Sequence, residues 1–136
     1  MRSFASGELR IEVLALSATR LRLDWKGRSA SRVPGADLRP FLMDLLTEAR
    51  GSRAAIEMHF EALEYFNSST VSVLVDFVRT ACTQKVPVTI LYSADVRWQR
   101  LSFDALQVFS LMDQNVKVTP IAVLAKPVPP AAVVRG

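Results

Sequence analysis

The sequence predicts an α/β fold: an opening β-hairpin, then helices and strands in alternation, giving a mixed sheet with helices packed against it. Three observations carry this. Apolar and polar residues alternate twice near the start, at Leu9, Ile11, Val13 and again at Leu21, Leu23, Trp25, which is the period of half-buried strands. Two later stretches repeat apolar residues at helical spacing, Leu38 to Ala49 and Val71 to Cys82. Behind the first and the second of these lie short alternating or β-branched runs, Ala54 to Phe60 and Val86 to Tyr92. With 136 residues the chain fits one domain with a real core.

Taken in order, residues 1 to 8 show no period and read as a flexible lead-in, so the domain is expected over residues 9 to 125. The two alternating runs are broken near Ser17 to Thr19, which makes them a hairpin. Gly27 to Gly35 collects Gly, Ser, Arg and Pro and reads as a loop. Asp37 can cap the helix that follows, whose stripe is Leu38, Phe41, Leu42, Leu45, Leu46 and Ala49; Gly51 reads as its stop, and Pro40 is tolerated in a first turn. Ile56, Met58 and Phe60 alternate with Glu57 and His59 in the next strand. A second helix carries Val71, Leu74, Val75, Val78 and Cys82 on one face and should end near Gln84. Val86 to Tyr92 is apolar enough for a strand covered on both faces. Trp98, Leu101, Ala105, Val108, Phe109 and Met112 then recur at helical spacing, Asp113 to Asn115 turns the chain, and Val116 to Ala125 can supply a last strand or extended tail. Pro127, Pro129 and Pro130 make residues 126 to 136 a Pro-rich tail without regular structure.

Composition excludes several classes. Half of the residues are hydrophobic, too many for a disordered chain. No apolar run reaches the roughly 18 to 20 residues that cross a bilayer, and charge and Gly interrupt the N-terminus, so a cytoplasmic protein with no membrane segment is expected. The formal charge of +4 gathers in part at Arg20, Arg22, Lys26, Arg28 and Arg32, but the first two alternate with Leu21, Leu23 and Trp25, which makes them the solvent side of a strand and not a nucleic-acid interface. The single Cys82 reads as a small core residue, and the single His59 has no second His or Cys pair with which to hold a metal, so no metal or other cofactor is expected. Glycines are scattered singly, without a phosphate-binding loop, and the Ser-rich stretch has no neighbouring base; an enzyme is not expected.

The functional signal is the stretch Glu64-Tyr65-Phe66-Asn67-Ser68-Ser69-Thr70-Val71, a polar knot between a strand and an apolar helix. Asn67 is a preferred N-cap, because its side-chain oxygen can accept a backbone N–H that the first turn leaves unpaired. Ser68, Ser69 and Thr70 then fall in the first turn, beside free N–H donors and at the positive end of the helix dipole, where a phosphate is accommodated. Taken from the residue types alone, plain capping is the favoured reading over a modification site, since Ser, Thr and Asn are common at helix starts.

A strand followed by Phe66-Asn67-Ser68-Ser69 and an apolar helix resembles the STAS domain of anti-sigma-factor antagonists, whose motif here is typically Asp-Ser-Ser-Gly with the first Ser or Thr phosphorylated by a partner kinase. The resemblance runs from about Leu9 to Thr119 as an element order, its specific parts being the Asn-Ser-Ser knot and Trp98-Gln99-Arg100-Leu101-Ser102-Phe103. Asn67 stands where Asp is usual and Thr70 where Gly is usual, which alters the local charge and adds an acceptor. The knot also looks like a branch of STAS-like regulators with Asn before the phosphorylated residue, some of which control diguanylate cyclases.

The resemblance implies a phosphorylation-controlled binding module in bacterial partner switching. Ser68 would be the acceptor, with Thr70 and Ser69 as lesser candidates, and Asn67, Ser68, Ser69 and Thr70 the partner-binding surface. It further implies a GHKL-type Ser/Thr kinase as writer, a PP2C-type phosphatase as eraser, and an anti-sigma factor or a diguanylate cyclase as target. The alternative is a STAS-like small-ligand sensor or structural adaptor in which Ser68 is only a helix cap.

Overall fold

The computed structural model describes residues 2 to 122, so the tail expected at 126 to 136 lies outside the described residues. Strands β1 (Arg2–Ser6), β2 (Leu9–Ser17) and β3 (Arg20–Ser29) form an antiparallel meander. After it come α1 (Leu38–Ser52), β4 (Ala55–His59), β5 (Leu63–Phe66), α2 (Ser68–Gln84), β6 (Val88–Ser93), α3 (Arg97–Leu106), α4 (Val108–Met112) and β7 (Val116–Ile121). The sheet runs β1-β2-β3-β4-β6-β7, antiparallel up to β3 and parallel beyond it, with β5 paired to β3 just past the end of β4. The mixed sheet expected from the sequence is therefore present.

Strand alternation decides which face the helices cover. Leu9, Ile11 and Val13 of β2, Leu23 and Trp25 of β3, Ile56 and Met58 of β4, and Ile90 and Tyr92 of β6 are buried in one cluster with the apolar stripes of α1 and α2. The residues between them point to the other face. There Lys26 meets Glu12 at 2.8 Å and Arg22 meets Asp24 at 2.8 Å, while Arg20 pairs with Glu57 and holds that carboxyl below its ordinary range. Arg20, Arg22 and Lys26 of β3 are thus each paired with a carboxylate on this face of the sheet. β6, expected to be covered on both faces, follows the same alternation: Thr89 and Leu91 are only half-buried.

Three further details depart from the pattern read in the sequence. Residues 2 to 6 are not a loose lead-in but the edge strand β1, held by its ladder to β2, a 4.7 Å stack of Phe4 on Phe41, a 2.5 Å bond from Ser6 to the Asp37 carboxylate and a 2.9 Å ion pair of Arg2 with Glu48. Gly27 to Ser29 belong to β3, because β5 continues the pairing there across a bulge. Gly27 sits at φ +82 with its Cα so close to the Glu8 carbonyl that a Cβ would lie 2.0 Å from the oxygen, so no other residue fits. Helix α1 passes through Gly51 and is stopped by Arg53 in the left-handed region at φ 56, just as Lys85 stops α2 at φ 59.

The buried stripes of the later helices are also rotated. Helix α2 turns Thr70, Val73, Leu74, Phe77, Val78 and Ala81 inward and leaves Val71, Val75 and Cys82 half-buried, because the face with the large Phe77 ring fills more of the core. In the third helical segment the core takes Gln99, Phe103 and Leu106, and Leu101, Val108 and Met112 are exposed. Burial pushes the Cys82 thiol up to about 11, helped by a hydrogen bond to Asp113, which keeps it protonated at neutral pH.

Candidate functional site

The parallel strands all point their C-terminal ends toward the start of α2. β5 delivers Phe66 into the core against Phe103 (5.4 Å) and edge-on to Trp98 (5.1 Å), and the next residue, Asn67, leaves the sheet. Its backbone is still extended (φ −95, ψ 175) and its N–H donates to the Ser29 carbonyl at 3.0 Å, completing the β3–β5 pairing. The helix begins at Ser68.

Asn67 uses both ends of its amide. Oδ1 accepts the Thr70 N–H at 2.9 Å, the expected N-cap, and also the Thr70 hydroxyl at 2.9 Å. Nδ2 donates to the Ser31 carbonyl at 2.8 Å, fastening the loop that follows β3. Since the Thr70 proton is given to Asn67, the 2.6 Å contact between Thr70 and Ser29 is a bond in which Ser29 donates. A buried chain, Ser29 to Thr70 to Asn67, thus links strand to helix.

This chain separates the four knot residues. Ser68 is exposed, Asn67 and Ser69 are half-buried, and Thr70 is fully buried at 0% exposure. With its oxygen enclosed by Ser29 and Asn67, Thr70 offers no hydroxyl to a kinase and no surface to a partner. The capped N–H is that of Thr70, so the N–H groups of Ser68 and Ser69 remain at the open end of the helix with the dipole behind them. Beside them Tyr65 is exposed, with the Arg28 guanidinium 4.8 Å above its ring.

The two departures from the usual motif now have a physical role. Asp at position 67 would cap the helix as well as Asn but could not donate to Ser31, and Gly at 70 would leave Ser29 without its buried partner. Asn67→Asp should therefore lower stability by about 1 kcal/mol, the lost and repelled Ser31 contact outweighing the dipole's preference for a carboxylate. Urea denaturation checks this, and a variant as stable as the parent would show that the Ser31 bond contributes nothing.

Gln99 is a residue whose role the sequence did not disclose, although it lies in the Trp98 to Phe103 stretch. It is fully buried: Nε2 donates to the carbonyls of Phe60 (2.6 Å) and Leu63 (3.0 Å), and Oε1 accepts the Ser93 N–H at 2.8 Å. It clamps the β4–β5 turn to the end of β6 and so fixes the strand that presents Asn67. His59, at the end of β4, lies 3.3 Å from both Glu57 and Glu61, a strand-face position as expected. Among the described residues no cluster of three or more metal-ligating side chains occurs, and no helix is long and apolar enough to cross a membrane.

No family model matches the chain, and no curated protein does. Among solved structures it is similar to the anti-sigma factor antagonist SpoIIAA in its unphosphorylated form, with a TM-score of 0.57 at 12% identity, over 85% of this chain and 92% of that one. At this identity the likeness shows a shared fold, and the fold is the one the STAS resemblance implied.

Proposed function

We propose that this protein is a phosphorylation-controlled binding module of the partner-switching type, with Ser68 as the acceptor. The observation that carries it is the exposed Ser68 hydroxyl in the first turn of a helix whose start is locked from beneath by buried hydrogen bonds. Shared fold with an anti-sigma factor antagonist supports the class of function. In the unphosphorylated form the surface around Asn67, Ser68 and Ser69 binds a target, an anti-sigma factor or a diguanylate cyclase; a GHKL-type kinase adds the phosphate and a PP2C-type phosphatase removes it.

Accessibility ranks the acceptors. Ser68 comes first and Ser69 second, and Thr70 falls out because a kinase would have to unmake the buried chain to reach it. Incubation with the cognate kinase and site-resolved mass spectrometry should find phosphate on Ser68. Phosphate confined to Thr70, or to a remote hydroxyl such as Ser102 or Ser110, would sink the assignment.

A further inference from the structure

The end of the domain away from Ser68 carries a cavity that the switch does not use. Helices α1 and α2 run side by side in the same direction: Arg39 near the start of α1 pairs with Asp76 of α2, and the two C-terminal ends lie together. Between those ends is a hollow of about 340 Å³, whose walls include Arg50, Arg53, Gln84 and Lys85 over Ala54 and Pro87. The 17 residues of α2 separate it from Ser68, roughly 25 Å of helix.

Its charge is of one sign. Arg50, Arg53 and Lys85 are exposed, and among the described residues none of the three side chains has an ion-pair or hydrogen-bond partner, whereas Arg2, Arg20, Arg22, Lys26 and Arg39 all stand in ion pairs. No acid lines the hollow. Glu48 of α1 pairs with Arg2, Asp76 of α2 with Arg39, and Asp113 accepts from the Asn115 N–H and the Cys82 thiol. Asp44 stands about 9 Å earlier along α1 than Arg50. Helix polarity does not account for the three cations. The last carbonyls are taken by backbone N–H groups, those of Ala49 and Arg50 by Arg53 and those of Ala81 and Cys82 by Lys85, and the charged heads are left over. The two helix ends together amount to about one negative charge against three positive side chains, leaving roughly two in excess. Arg53 and Lys85 also keep their places at φ 56 and 59, where Gly is the usual residue of a helix end, so two cations are held in strained backbone around one hollow. Gln84 adds a last feature: its side-chain oxygen is enclosed and makes no hydrogen bond, so it lacks a donor.

We propose that this hollow binds a small phosphate-bearing molecule, with Arg50, Arg53 and Lys85 holding the phosphate dianion and a hydroxyl of the ligand donating to the Gln84 oxygen. The positive excess matches the charge of the dianion, and the orphaned acceptor selects a ligand that also carries an O–H.

Inorganic phosphate is the probe, since hydrogen phosphate carries both the double charge and an O–H. Calorimetry on the full chain in chloride buffer near neutral pH should show saturable binding of one phosphate per chain. Sulfate, which has the charge without the O–H, should bind at least threefold more weakly. The double variant Arg53→Gly, Lys85→Gly should bind phosphate at least tenfold more weakly while its Tm holds or rises, because Gly relieves both left-handed positions. Arg97→Gln, which removes an exposed cation from the first turn of α3, at the Ser68 end of the domain, should leave phosphate affinity within twofold. Absence of saturable binding, equal affinity for sulfate, unchanged affinity in the double variant or an equal loss in Arg97→Gln overturns the proposal. A collapse of Tm in the double variant overturns it too, by tying both cations to the helix ends. So does a chain that ignores free phosphate but sediments with phosphatidic acid vesicles, which would make the hollow a membrane contact.

Discussion

Phosphate on Ser68 should weaken binding of the target at least a hundredfold, about 2.7 kcal/mol, while Ser68→Ala binds like the unmodified protein. A phosphoserine carries about −1.5 to −2 charges at neutral pH, and a partner packed over the Asn67 to Ser69 surface would have to desolvate that charge without pairing it. The domain itself should tolerate the group. Ser68 and Ser69 offer first-turn N–H donors, and the dipole contributes up to about 1 kcal/mol in favour of the dianion. Ser68→Asp should fall between the two forms, having less charge and a different shape. Calorimetry against the captured target, with circular dichroism on the same samples, measures both effects. Equal affinity for the alanine variant and the phosphorylated protein, or loss of helical signal on phosphorylation, would make Ser68 a structural cap.

Gln99→Leu should be the most damaging polar substitution of the pair of clamps around the site. It leaves the Leu63 carbonyl and the Ser93 N–H buried without their side-chain partner, at about 1 to 3 kcal/mol for each orphaned group, while the Phe60 carbonyl keeps the Leu63 N–H at 2.9 Å. A total near 3 kcal/mol or more corresponds to a fall in Tm of roughly 10 °C for a domain of this size. Hydrogen exchange should rise first in the β4–β5 turn, which loses its tie to β6. A drop in Tm of only a degree or two would mean that water replaces the side chain and that the clamp is not needed to present Asn67.

The sequence disclosed the fold where residue periodicity and burial coincide. Leu9 to Val13 and Leu21 to Trp25 alternate because one face of the hairpin is covered, and Asn67 announces the start of α2 through its own capping chemistry. Periodicity was silent where tertiary contacts supply the order. β1 has no alternation to read, since its residues are mostly exposed and its hold comes from Phe41, Asp37 and Glu48, more than thirty positions away. β5 is four residues long and exists because the end of β3 was free to pair. For α2 and for the α3–α4 segment the pattern was present but ambiguous: two apolar faces compete, and only the shape of the core, with Phe77 and Phe103 as its large pieces, decides between them. At the site, the exposed Ser68 could be read locally, whereas the burial of Thr70 depends on Ser29, forty-one residues earlier.

The buried chain from Ser29 through Thr70 to Asn67 also bears on tempo. Under the proposed switch, a surface locked from below should present the same backbone before and after modification, so a partner would meet its binding conformation at every encounter and no fraction of the population would be withheld by refolding. Exchange between partners would then be timed by how fast the proposed kinase and phosphatase write and erase the phosphate and how fast a bound partner leaves, with no conformational delay in this chain. The same rigidity would make the proposed response graded in the population and all-or-none in each molecule, with occupancy of one hydroxyl setting the concentration of competent protein directly.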